Sequence, residues 1–198
     1  MGTYHNDRKG LDLVMKAFTE EFHADESVRL LFKVNKIYDP NKSFMKYISK
    51  YMNKSENANI DIEFIDEDLS QEELVDLFNL ADVYVAPHRA EGFGINILDS
   101  IATETPVITT EATGNMDFCK DNPAVEFIEV DREIYAPLIN PYENAKWVEP
   151  SLKSLKRKMR NAYKKPKFDT KKGAEIVKEN WTWANTVDKM EARIKELF

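Results

Sequence analysis

With 198 residues, 42% of them hydrophobic and 11% aromatic, the chain can bury one full core or at most two small ones, which points to a packed globular fold rather than disorder. A formal net charge of −7 argues against general nucleic-acid binding, which needs a basic surface. Cys119 is the only cysteine, so no intrachain disulfide and no cysteine-based metal site can form, and a reducing compartment suits the chain.

The three histidines, His5, His23 and His88, lack zinc-ligand spacing, and no metal is expected. No apolar stretch reaches bilayer length and the N-terminus lacks a signal-peptide pattern. The expectation is a soluble, cytoplasmic protein.

Apolar periodicity alternates between two rhythms along the chain. Leu11, Val14, Met15, Phe18 and Phe22 recur at helical spacing, and "VRLLFKV" (28–34) reads as a buried strand. "FMKYISKYM" (44–52) returns to helix, and "IDIEFI" (60–65) alternates like a strand with one wet side. Ser70 followed by Glu73 is a capping-box pattern, continued by Leu74, Leu77, Phe78 and Ala81 on one helix face. "DVYVA" (82–86), "PVITT" (106–110) and "VEFIEV" (125–130) are the remaining strands, with a helix opening near Gly94 between the first two.

From about residue 151 the pattern is helical. Leu152, Leu155, Met159 and Tyr163 make one amphipathic helix, "GAEIVKEN" a second and "WANTVDKMEARIKELF" a third. The Lys/Arg-rich run over 153–172 reads as a solvated helix face, with peripheral contact to an anionic membrane as the alternative. Strands separated by helices of this length imply an α/β fold: a Rossmann-like parallel sheet with helices on both faces plus a C-terminal helical tail, one domain over 1–198.

In such a sheet, ligands bind outside the carboxyl ends of the strands. "PHRAEGFGINILDS" (87–100) lies there and holds two of the chain's six glycines, Gly92 and Gly94, directly after Glu91. Glycine lets backbone approach a ligand, and a helix N-terminus offers unpaired N–H groups to an anion. The amides around Phe93, Gly94 and Ile95 can therefore hold a phosphate without a basic side chain. A carboxylate beside phosphate should point past it, toward neutral sugar hydroxyls, which suits Glu91 and, two helical turns on, Asp99. The plainer alternative is that Glu91 caps the helix and Asp99 is a surface acid.

"EGFGINILD" resembles the E-x7-E signature of retaining GT-B glycosyltransferases of family 4 (glycosyl transferases group 1), with aspartate in the second acidic place. "RKGLDLVMKAF", "LSQEELVDLFNLADVYVAPHRAEGFG", "ATETPVITTEATGNMDF", "WVEPSLKSLKRKMRNAY" and "NWTWANTVDKM" are similar, in order, to successive stretches of that family's C-terminal donor-binding domain. In "WVEPSLKSLKRKMRNAY" and "NWTWANTVDKM" the likeness is to its C-terminal helices.

The resemblance implies transfer of a hexose from a nucleotide diphosphate sugar to an acceptor hydroxyl with retention of configuration, and no cofactor or metal. Lys9, helped by Arg8, would reach the donor phosphates and stabilise the departing nucleotide. Glu91 would bind hydroxyls of the transferred sugar. Gly92, Phe93, Gly94, Ile95 and Asn96 would line the sugar and pyrophosphate, Asp99 would accept from the ribose, and the base would lie near Asp66. Gly114 and Asn115 are candidates for a further approach to the donor, whereas His88 is not expected to act as a catalytic base, and Trp181 and Trp183 are expected to pack and lock the tail.

Two departures stand out. Thr3 occupies the place of the family's usual arginine, six residues before the loop lysine. The acceptor, whether sugar, lipid or protein, would bind an N-terminal domain that this chain does not contain, so the isolated chain is expected to be inactive, or else a non-catalytic nucleotide-binding or assembly subunit of the same fold. A sugar-nucleotide epimerase of the same fold would show different acid and histidine patterns. A dinucleotide-dependent oxidoreductase would need a third glycine that "GFG" lacks.

Overall fold

The computed structural model describes residues 7–34, 46, 61–136 and 145–198. The predicted helix over 44–52 and the substitution at Thr3 lie outside the described residues, Lys46 apart.

Helix α1 (Leu11–Glu21) turns the predicted stripe inward, burying Leu13, Val14, Met15, Ala17 and Phe18. Strand β1 (Arg29–Lys33) pairs in parallel with β2 (Asp61–Ile65), with Arg29 opposite Asp61. Helix α2 (Gln71–Leu80) begins on the expected box: Glu73 N donates to the Ser70 hydroxyl at 3.2 Å and Ser70 N donates to the Glu73 carboxylate at 2.7 Å.

The second sheet is parallel and three-stranded, in the order β3 (Tyr84–Ala86), β4 (Val107–Thr110), β5 (Val125–Ile128). Helix α3 (Ile95–Ala102) connects β3 to β4, and the short helix α4 (Met116–Cys119) precedes β5. Adjacent residues of β4 show why helices cover both faces. Ile108 packs with Leu13, Ala17 and Phe18 of α1, with Phe22 just after it, and with Leu155 and Met159 of α5 (Leu152–Lys164). Its neighbour Val107 points the other way, onto Ile97 and Ile101 of α3, Phe118 of α4 and Val177 of α6 (Thr170–Asn180). A fully buried side chain of this kind contributes about 1.5–3 kcal/mol, so β4 is the seam between the two halves of the core. The parallel α/β fold with helices on both faces and a helical tail is what the strand–helix rhythm predicts.

Three features differ from expectation. "VEFIEV" is not one strand: β5 ends at Ile128, and β6 (Val130–Tyr135) pairs antiparallel with β7 (Lys146–Pro150). Most of β6 is exposed, so it carries no apolar alternation to reveal it. The start of "WVEPSLKSLKRKMRNAY" is therefore a strand rather than part of the C-terminal helices it resembles.

Next, the basic run is neither a fully solvated face nor a free cationic patch. Lys156 lies 3.4 Å from Glu20, Lys158 lies 3.1 Å from Glu126, Arg157 pairs with Glu129, and Arg160 pairs with Glu21 and Glu26. Arg160 also sits 4.4 Å from the Phe22 ring centroid. Most of the positive charge of α5 thus docks it on α1 and β5, and the exposed lysines of the stretch include Lys153, Lys164, Lys165 and Lys167.

Finally, helix α7 (Trp183–Leu197) has no buried residue, and Trp183 is 83% exposed, so Trp183 does not lock the tail. Trp181 does pack, against Phe93 and Phe118. Among the described residues no helix is long and apolar enough to cross a membrane.

Candidate functional site

The parallel pairing of Ala86 with Thr109 brings the loops after β3 and β4 side by side at the carboxyl edge of the sheet. A third loop, residues 7–10, is sewn to them. Arg89 N donates to Arg8 O at 2.7 Å, and an Arg8 guanidinium nitrogen donates to Ala90 O at 2.8 Å. Gly10 sits at φ +69, and a Cβ there would lie 1.9 Å from Pro87 O, so only glycine permits this approach.

Arg89, which sequence reasoning did not single out, secures the junction from beneath. Its buried guanidinium donates to both oxygens of Asp12 at 2.8 Å, to both of Glu149 at 2.9 Å, and to Asp7 O at 2.6 Å. Burial works against the charge, but Asp12 and Glu149 outweigh it and hold the arginine protonated. One signal was available: an arginine three residues past the end of an apolar strand, with acids on two other elements, is a buried cation awaiting partners.

On this base the two residues expected to act in catalysis meet. The Lys9 ammonium donates to the Glu91 carboxylate, 82 positions away in sequence, and Arg8 lies 3.9 Å from the same oxygen. The other Glu91 oxygen accepts from Gly92 N at 3.0 Å. Burial raises the Glu91 pKa, but Lys9, Arg8 and the Gly92 amide outweigh it and leave the carboxyl below its usual range. With its side chain only 13% exposed, Glu91 is compensated by the nearest ammonium, a pairing that sequence reasoning did not foresee. Glu91 does not cap α3, which has no side-chain cap and begins on Gly94 at φ +92.

The peptide of Glu91 is held at both ends by the loop after β4. Glu91 N donates to the Thr113 hydroxyl at 3.1 Å, and Gly114 N donates to Glu91 O at 3.1 Å. A Cβ on Gly114 would lie 1.8 Å from Gly92 O, so that glycine is required for the close contact between the two loops. Thr113 itself stands at φ +70, the one β-branched residue among the described non-glycine positions with positive φ. That conformation costs on the order of 1–2 kcal/mol.

The other candidates divide. Among the described residues, nothing lies within 4 Å of where a Gly92 Cβ would be, which leaves this face of the loop open. Phe93 turns into an aromatic cluster, 5.2 Å from Phe118 and 6.0 Å from Trp181 between ring centroids, leaving its amide and those of Gly94 and Ile95 at the start of α3. The Asn96 side chain hydrogen-bonds Tyr84, whose hydroxyl is pushed up to about 12 by burial despite that bond. Asp99 stands apart on the exposed side of α3 with its pKa raised by partial desolvation. Asn115, foreseen near the donor, is instead fully buried: its amide bridges the His88 ring at 3.0 Å and Thr110 O at 3.1 Å. His88 is likewise buried, with both ring nitrogens facing carbonyl oxygens, at Ala86 and Ala112, and burial lowers its pKa. It joins the two loops.

The family model described as glycosyl transferases group 1 matches residues 5–178. Among solved structures, the fold is similar to that of a glycosyltransferase from Rickettsia africae ESF-5, with a TM-score of 0.70 at 17% identity over 96% of this chain and 44% of that one. It is similar to sucrose-phosphate synthase from Thermosynechococcus elongatus, TM-score 0.67 at 17% identity over 96% and 43%. It is also similar to α,α-trehalose 6-phosphate synthase from Burkholderia multivorans, TM-score 0.67 at 12% identity over 96% and 40%. Likenesses at these identities establish a shared fold, and the chain spans less than half the length of each of these proteins. No curated protein sequence matches it.

Proposed function

This chain belongs to the glycosyl transferases group 1 family, and from that membership we propose that it is the donor-binding domain of a retaining enzyme that moves a hexose from a nucleotide diphosphate sugar to an acceptor hydroxyl. The observation that carries the reading is the meeting of Lys9, Arg8 and Glu91 beside the open face of Gly92 and the start of α3. Cations and bare peptide N–H groups are what a diphosphate leaving group needs, and a fixed carboxylate beside them is what sugar hydroxyls need.

Because Glu91 already holds Lys9, a diphosphate reaching that ammonium competes with the carboxylate. Lys9 exchanges one anion for another, and Glu91 is released to accept from the sugar. Stabilisation of the departing nucleotide by Lys9, Arg8 and the amides near Gly94 then supplies the main contribution to rate. Asp99, exposed on the next turns of α3, accepts from the ribose, and the base lies toward Asp66.

Calorimetric titration with UDP-, GDP- and ADP-sugars tests donor binding. In the same assay Glu91→Gln should leave binding of the bare nucleoside diphosphate intact or tighter. Turnover, with an acceptor-binding N-terminal half supplied, should fall at least about tenfold. Wild-type turnover by Glu91→Gln, or no binding by any member of the panel, refutes the proposal.

A second reading is a non-catalytic nucleotide-binding or assembly subunit of the same fold. Donor binding without turnover, even with the N-terminal half supplied, would favour it.

A further inference from the structure

We infer that Thr113 is a positioning residue, whose hydroxyl fixes the peptide of Glu91 so that the carboxylate meets Lys9 beside the open face of Gly92. The inference rests on the donor-binding reading of Glu91 for its functional meaning, though the geometry stands without it.

Three observations carry it. Glu91 is clamped at both peptide ends by consecutive residues, its N–H by the Thr113 hydroxyl at 3.1 Å and its carbonyl by Gly114 N at 3.1 Å. Thr113 is exposed, so no core packing explains a threonine there. And it holds φ +70, a conformation that glycine adopts freely and a β-branched residue does not. One exposed hydrogen bond does not offset that strain on stability grounds. The hydroxyl therefore earns its place through what it holds. The turn around it is rigid: Met116 N closes onto Thr113 O at 3.1 Å, and buried Asn115 is pinned to His88 and Thr110. A clamp mounted on so stiff a turn transmits its position to Glu91 rather than yielding to it.

Two variants of the full chain separate positioning from mere structure. Thr113→Gly removes hydroxyl and strain together, and Thr113→Ser keeps the hydroxyl. The first readout needs no ligand: carbon-13 NMR titration of the Glu91 side chain. Thr113→Gly should return the carboxyl toward the ordinary carboxylate range as its pairing with Lys9 loosens, with an unchanged or higher melting temperature. Thr113→Ser should titrate like the wild type. The second readout is calorimetry with UDP, GDP and ADP beside UDP-glucose, GDP-mannose and ADP-glucose. Thr113→Gly should lose about tenfold in preference for the sugar nucleotide over its own diphosphate, and Thr113→Ser should retain that preference.

Wild-type titration of Glu91 in Thr113→Gly overturns the inference. So does a fall in melting temperature shared equally by both variants, which would make the residue purely structural. Failure of the wild type to bind any nucleotide overturns the donor-binding reading instead, while the NMR result still decides the clamp.

Discussion

Glycines at three neighbouring loop positions have different reasons for being there. Gly10 is required by the protein itself, with φ +69 and Pro87 O 1.9 Å from any added Cβ. Gly94 caps α3 at φ +92, where Ile97 Cδ1 is 3.1 Å from an added Cβ. Gly92 meets nothing within 4 Å among the described residues, so their packing does not demand it. Gly10→Ala should therefore destabilise by more than about 2 kcal/mol. Gly92→Ala should change stability by no more than about 0.5 kcal/mol yet weaken sugar-nucleotide binding, because its methyl group fills the face a ligand would approach. Thermal melts and calorimetry on the two variants check both statements. A destabilised Gly92→Ala, or one that binds normally, would show that the open face has no role.

Helices α1 and α5 are joined by apolar contact, with ion pairs at its edge. The hydrogen bond from Arg160 lowers the Glu26 carboxyl from 4.5 to about 2, aided by the His23 amide. A carboxyl depressed on folding stabilises the protein above its unfolded value, so this contribution is present above pH 4.5 and is lost as pH falls toward about 2. Replacing Arg160 with methionine should flatten the decline of melting temperature across that window. An unchanged acid profile would mean that the pairing does not stabilise the docking. Helix α7 is the opposite case. Trp183, Val187, Met190, Ile194 and Leu197 are all more than half exposed along one stripe, and none is buried.

Strand β4 joins the two sides of the core, because Ile108 and Val107 serve opposite faces. Opening either side should therefore require global unfolding. Cys119 reports on this. It is fully buried beside α3 and α6, and burial pushes its thiol up to about 12, against an Asn115 hydrogen bond that acts the other way. A thiol reagent at neutral pH should label Cys119 only as fast as the whole domain unfolds. Because the unfolded thiol ionises near its ordinary value of 9.0, stability should also fall as pH rises from there toward about 12. Rapid labelling of native protein would show that the α3–α6 side opens separately.

Much of this was legible in the chain itself. The Ser70–Glu73 box, the inward stripe of α1, the alternation of strands and helices and the acid–glycine turn at 91–94 are local patterns, and local backbone preference and amphipathicity determine them wherever the rest of the chain lies. The turn and the 7–10 loop could also be singled out as candidate site segments from their residue types. What the tertiary structure alone decided is how those segments face each other. The pairing of Lys9 with Glu91, the burial of Arg89 between Asp12 and Glu149, the left-handed Thr113 under Glu91, the β6–β7 ribbon and the bare flank of α7 all depend on partners far away in sequence. The physical reason is that strand register and loop closure set which side chains meet, and neither leaves a trace in the spacing of residues along the chain.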